Sequence, residues 1–123
     1  LYILGKVFAL PDDIFYATLP KSVTTAIALD IATKFGWNEA LIPMMTVSTG
    51  IIGAVIAPLV AKFIKSPVAK GLAIGTSSHA VGTSKAIEMG EVEGAMSGLA
   101  LSLAAISTSF IIPILLTTIF KII

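Results

Sequence analysis

Residues 71–89 read GLAIGTSSHAVGTSKAIEM. Gly71, Gly75 and Gly82 sit among Thr76, Ser77, Ser78, His79, Thr83 and Lys85 in an otherwise apolar run. A helix facing lipid has no use for such a cluster. A discontinuous helix does, because unwound backbone is tolerated inside a membrane only where it is buried in protein or lines a cavity. The stretch predicts an all-α, polytopic integral membrane protein with broken transmembrane helices. Gly75 and Gly82 are the expected break points here, and Pro20 is the expected one nearer the start of the chain.

The composition around this stretch agrees. Of 123 residues, 56% are hydrophobic and 12% charged. A soluble chain of this size is mostly surface and needs more polar groups to cover itself, whereas a bilayer suits this balance. Cysteine is absent, which excludes a disulfide framework and thiolate chemistry. A single histidine without cysteine makes no zinc site. A net charge of +1 argues against a nucleic-acid partner. The chain holds no P-loop, H-E-x-x-H or dinucleotide fingerprint, and Gly75-Thr76-Ser77-Ser78-His79 is not the G-x-S-x-G elbow. Neither an enzyme nor a cofactor is expected. The chain opens in an apolar run with no initiator Met and no signal peptide, so further N-terminal sequence is expected.

Charges and prolines divide the chain. Leu1 to Leu10 resembles the tail of a membrane helix, broken by Pro11-Asp12-Asp13, and Ile14 to Leu19 suits the interface. The expected spans are 20–36, 40–61, 68–89 and 94–120. Pro20 suits a helix start, and the segment it opens is too short and polar to face lipid, so a buried half-helix is expected. Ala40 to Ala61 is uncharged and long enough to span at about 1.5 Å per residue. Gly53 and Ala57 on it, and Gly90, Gly94 and Gly98 further on, recur every four residues and give small faces for close helix packing. Tyr2 and Trp37 fit interfacial anchors. Four crossings would put Lys6, Lys21, Lys62, Lys65, Lys70 and Lys121 on one side together with the C-terminus, and lysine excess marks that side as cytoplasmic.

Two clusters carry candidate chemistry: Pro20-Lys21-Ser22-Val23-Thr24-Thr25, and the run from Gly75 to Lys85. Each sets hydroxyls and a lysine beside a helix-breaking residue. Amides freed at a helix restart attract anions. Lys21, Ser22, Thr24, Thr25, Thr76, Ser77, Ser78, His79, Thr83 and Lys85 are therefore candidates for holding a small carboxylate, and His79 could carry a proton. A plainer role competes at every position. Hydroxyls in membrane helices often bond a backbone carbonyl, and glycines often just admit a neighbour. Lys85 can snorkel or pair with Glu88, and Asp30 is spaced to pair with Lys34. For His79 the cost of an ionisable group inside a membrane favours function.

The runs GLAIGTSSHAVGTSKAIEMGEVEGAMSGLALSLAAI (71–106), LPKSVTTAIA (19–28) and GIIGAV (from Gly50) together resemble the LrgB family. The pattern GT-x-SHA-x-GT-x-KA-x-E-x-GE-x-EGA is long and specific, and the resemblance covers nearly the whole chain. Ala26 stands where the family pattern has Pro, and Lys85 where Arg is common; the lysine keeps the charge but not the bidentate grip. The resemblance implies that residues 1–123 are the C-terminal half of a membrane domain about twice as long, by analogy. Bacterial members are described as antiholin-like or holin-like. They partner a small membrane protein of the LrgA or CidA kind in controlling murein hydrolase activity and lysis. A chloroplast relative exchanges glycolate and glycerate, and bacterial members are linked to pyruvate movement.

Two functions are expected from this. One is a carrier of small organic acids (glycolate, glycerate, lactate or pyruvate type) in the bacterial cell membrane, working by alternating access. The other is an antiholin- or holin-like pore-regulating protein whose glycine faces build a homo-oligomer.

Overall fold

The structure, a computed structural model, describes residue 5 and residues 7–118. Over these run α1 (Asp12–Thr18), α2 (Thr25–Phe35), α3 (Leu41–Ala61), α4 (Pro67–Met89) and α5 (Glu91–Thr118). No strand occurs among the described residues, and the all-α expectation holds. Tyr2, Lys6 and Lys121 lie outside the described residues, as does part of the expected helix tail at Leu1 to Leu10.

Two helices, α3 and α5, are long and apolar enough to cross a membrane, and their burial decides what they are. Only 22% of the most apolar window of α3 and 11% of that of α5 is buried. The core helix of a water-soluble protein hides such a surface. Here Ile51, Val55 and Leu59 on α3, and Leu103, Ile106 and Phe110 on α5, stay exposed. In water this continuous apolar surface would drive association; in lipid it is the required exterior. The chain is an integral membrane protein.

α1 and α2 pack on the start of α3 through Ala17, Val23, Ala28, Ala32 and Ile42. Gly36 ends α2 in the left-handed region, φ 65°, with its N–H on the Ala32 and Thr33 carbonyls, a termination that glycine permits at no steric cost. Trp37 then folds back to stack on Tyr16 and Phe35. The helix expected to start at Pro20 starts instead at Thr25. Residues 19–23 form tight turns, with Val23 N–H donating to the Pro20 carbonyl at 3.2 Å, and Thr24 is extended. Pro20 therefore lies in the break rather than opening the helix. At about 1.5 Å per residue, α2 is about half the hydrocarbon thickness of about 30 Å, so 20–36 is not one crossing helix.

α4 opens as its sequence dictates. The Ser66 hydroxyl caps Ala69 N–H, and Pro67 occupies the first turn, where its missing N–H costs nothing. The helix then breaks at His79, which has φ 40° and ψ −137°. The chain turns back on itself there. Gly71 abuts the Glu93 carbonyl, and Ile87 abuts Gly94. Along a straight helix residues 71 and 87 would be about 24 Å apart, yet both meet adjacent residues of α5. Nearer the bend, Gly75 abuts the Ser97 carbonyl and Thr83 bonds the Ser97 hydroxyl. The pairs 71/87 and 75/83 are symmetric about residue 79, so α4 is a helical hairpin with His79 at its tip. Each half is less than about 20 Å long and cannot cross.

This corrects two expectations. The segment 68–89 enters and returns rather than crossing, and the break is one residue wide, at His79, while Gly75 and Gly82 are helical. Both glycines instead admit close neighbours: a Cβ on Gly75 would strike the Ser97 carbonyl, and one on Gly82 would strike Ser78 from the opposite half of the hairpin. With α4 returning, its two ends lie together, and α5 runs from there toward the opposite end of the bundle. The gathering of Lys62, Lys65 and Lys70 on the same side as Lys121 required a third crossing and does not follow from this fold.

Candidate functional site

His79 lies where four helices converge. Its ring is buried, and Nε2 is 2.7 Å from the Thr46 carbonyl oxygen of α3. A carbonyl only accepts, so Nε2 carries hydrogen. Thr46 Oγ1 donates to the Ile42 carbonyl at 3.0 Å, which spends its one proton. Thr25 of α2 is then the donor across the 2.9 Å Thr25–Thr46 contact. On the other side, Thr83 Oγ1 donates to the His79 carbonyl at 2.8 Å, which makes Ser97 of α5 the donor to Thr83, also at 2.8 Å. Thr25, Thr46, His79, Thr83 and Ser97 thus form one polar layer through the bundle. Gly50 lets it close: a Cβ there would collide with the His79 ring and with Val81.

The His79 backbone is strained, since φ +40° is disfavoured for any residue with a Cβ and costs about 1–3 kcal/mol. Restarting the helix at Ala80 also leaves the first-turn amides of the second half without acceptors in their own helix. Both features are confined to the tip of the hairpin.

Next to this layer, between α3 and the first half of α4, lies a cavity of about 380 Å³. Its polar lining is Lys21, Thr49, Ser77, Ser78 and Lys70, and its apolar wall includes Ile52, Ile56, Ala57, Val60 and Ile74. Lys21 reaches it from the turn between α1 and α2. Ser77 Oγ donates to the Ala73 carbonyl at 2.7 Å, so Ser78 Oγ is the donor across the 3.0 Å contact between the two hydroxyls. Gly53 makes room for Ser78, which a Cβ there would strike.

The expected site residues therefore divide. Lys21, Ser77 and Ser78 line the cavity. Thr25, His79 and Thr83 belong to the polar layer beside it. The rest stand apart. Thr76 is exposed and donates to the Leu72 carbonyl of its own helix. Lys85 pairs with Glu88, as its spacing allowed. Ser22 and Thr24 line neither the layer nor the cavity, and Thr24 caps α2 by position without a side-chain bond. Among the packing residues, Ala57, Gly53, Gly90 and Gly94 meet close neighbours within the chain. Gly98 has open space beside it, so the face of α5 that meets α4 runs through Glu93, Ser97 and Ala100 and leaves Gly98 outside it.

Sequence reading missed Thr46, Thr49, Ser97, Lys70 and Glu93. One signal was present: Thr46, Gly50, Gly53 and Ala57 recur at helical spacing on one face of α3, and extending the small-residue face upstream from Gly53 would have reached Thr46. No metal-holding group of three acidic, histidine or cysteine residues occurs among the described residues.

A bundle with two lipid-facing helices, a re-entrant helical hairpin and a buried polar layer at its tip defines a class: polytopic membrane proteins built on discontinuous helices. The chain belongs to the LrgB-like family, whose profile matches residues 1–118. It is 32% identical over 118 residues to the holin-like protein CidB of Staphylococcus aureus (strain Mu50 / ATCC 700699), covering 94% of this chain and 52% of that protein. It is 37% identical over 115 residues to the antiholin-like protein LrgB of Bacillus mycoides (strain KBAB4), covering 92% and 50% respectively. The chain spans about half the length of the curated relatives it matches. No solved structure matches it.

Proposed function

We propose that the protein is a carrier of small organic acids, of the glycolate, glycerate, lactate or pyruvate type, and not an enzyme. The observation that carries this reading is the tip of the α4 hairpin: a broken helix with buried His79, set beside a cavity that holds Lys21, Ser77 and Ser78. Lys21 supplies charge, an incoming carboxylate takes over the Ser78 hydroxyl proton that now bonds Ser77, and the apolar wall excludes competing water. His79 holds the tip in place through its Nε2 bond to the Thr46 carbonyl of α3.

The residual surface of an acid such as pyruvate is small, so most of its affinity must come from these charged and hydrogen-bonded contacts. Saturable uptake of glycolate or pyruvate into proteoliposomes by the intact protein is the expected result. Lys21→Gln should raise KM about tenfold, the loss of about one charge-assisted bond, and His79→Ala should lower the uptake rate. Unsaturable uptake, or leakage of an uncharged dye at the same rate, would overturn the carrier.

That last outcome belongs to the second reading, a pore-regulating protein of the holin or antiholin kind tied to control of murein hydrolases and lysis. The names of the relatives favour it. Against it, Gly94 is already occupied by Ile87 inside the chain, which leaves Gly98 as the open glycine of α5. In either case the proposed setting is the bacterial inner membrane, with a small LrgA- or CidA-like membrane partner and self-association as further proposals. The lysine rule, applied to a returning α4, assigns Lys62 and Lys65 to the cytoplasmic side. The end of α5 then faces the other side, in place of the cytoplasmic C-terminus that four crossings implied.

A further inference from the structure

The open end of the hairpin holds a charge pair that the proposed site does not yet use. Lys70 lines the cavity, and its Nζ is 3.8 Å from Glu93 Oε1 on α5. Their side chains are only 23% and 11% exposed. At that distance the contact is electrostatic and too long for a hydrogen bond. The Glu93 carboxylate makes no hydrogen bond among the described residues, and it lies over Gly90, where a Cβ would meet Oε2. The charges around it are few. From the first half of α4 it faces Lys70. The returning half brings Ile87 to the neighbouring Gly94, and the charges of that half, Lys85 and Glu88, are paired with each other. On its own helix Glu91 is exposed, and the start of α5 adds a favourable dipole. Lys70 is the one cation within ion-pair reach of Glu93 among the described residues.

A loose pair with one partner lining a cavity is an exchange waiting for a competitor. We propose that a carboxylate entering the cavity draws Lys70 away from Glu93, and that a proton then replaces Lys70 on Glu93. A buried carboxylate stripped of its one cation among the described residues is costly, and neutralisation by a proton removes that cost. The charges balance. Before entry the pair is Lys70 cation and Glu93 anion. After entry the substrate anion sits on the Lys70 cation, and Glu93 is a neutral acid that has taken its proton from water. One proton therefore accompanies each monocarboxylate, and Glu93 is a positioning and coupling residue rather than a substrate ligand. This rests on the carrier reading and adds its coupling ion.

The test uses the intact protein in proteoliposomes with radiolabelled glycolate and a pH dye in the lumen. Wild type should acidify the lumen as glycolate enters and should accumulate glycolate when the outside is made acidic. Glu93→Gln should abolish both, while glycolate-for-glycolate exchange, which needs no net proton movement, persists and reports a folded carrier. Lys70→Met should raise KM in exchange about tenfold. Glu93→Gln retaining wild-type acidification per glycolate would overturn the coupling role and leave the carrier standing. Loss of exchange together with accumulation in both Glu93→Gln and Glu93→Asp would assign Glu93 a structural role and also overturn it. No saturable glycolate movement by wild type would overturn the carrier and this inference with it.

Discussion

At the scale of single residues, His79 holds two opposed energies. Its backbone is strained by about 1–3 kcal/mol, and its Nε2 bond to the Thr46 carbonyl is worth about 1 kcal/mol net. His79→Gly loses the bond and relieves the strain; His79→Ala loses the bond and keeps the strain. The glycine variant should therefore unfold in detergent at a higher temperature than the alanine variant, although both remove the ring and both should slow uptake. Equal or reversed melting temperatures would show that the His79 backbone is not strained in the folded protein. That His79 would sit inside protein was legible in the sequence, because a lone ionisable residue in an apolar run is costly wherever it faces lipid. Its conformation was not. A sequence gives glycine first claim on left-handed backbone, which directed attention to Gly75 and Gly82, whereas here the positive φ belongs to a residue with a side chain. The bonds of Thr46 and Ser97 were hidden for a different reason: each hydroxyl is meaningful only through a partner on another helix.

At the scale of elements, the hairpin of α4 stands on glycines that let its halves and α5 approach. A Cβ on Gly75 would overlap the Ser97 carbonyl, which is backbone and cannot swing aside, while Gly98 has nothing nearby. Gly75→Val should destabilise by at least about 1–3 kcal/mol, the usual cost of overpacking, and Gly98→Val should leave the melting temperature unchanged apart from helix propensity. Comparable losses at both positions would mean that α5 does not pack on α4 as described. The existence of α3, α4 and α5 could be read from their apolar lengths and flanking charges, and their bounds fall within a few residues of 40–61, 68–89 and 94–120. The reversal of α4 could not. Its two halves together have the length of one crossing helix, so length alone cannot distinguish a span from a hairpin. The clue was polarity: a run carrying five hydroxyls, a histidine and a lysine needs protein on every side.

At the scale of the whole molecule, the reversal fixes which loops share a side. The loop after α3 and the loop between α4 and α5 lie together, and the end of α5 lies opposite. These 123 residues hold no cysteine, so single cysteines placed in them report cleanly once any cysteine elsewhere in the intact protein is replaced. Ser66→Cys and Glu91→Cys should react with a membrane-impermeant maleimide from the same face, and Thr118→Cys from the other. Labelling of Ser66→Cys and Glu91→Cys from opposite faces would restore four crossings and remove the hairpin. A further consequence concerns the order in which the molecule is built. The polar halves of α4 leave the ribosome before α5, yet α5 supplies the wall against Gly71, Gly75 and Thr83. A nascent chain stopped at Gly90 carries a hairpin with one flank bare, unfit for lipid and unable to span it. Insertion must therefore run out of sequence order: α3 and α5 enter the bilayer first, and the segment synthesised between them slots into place last.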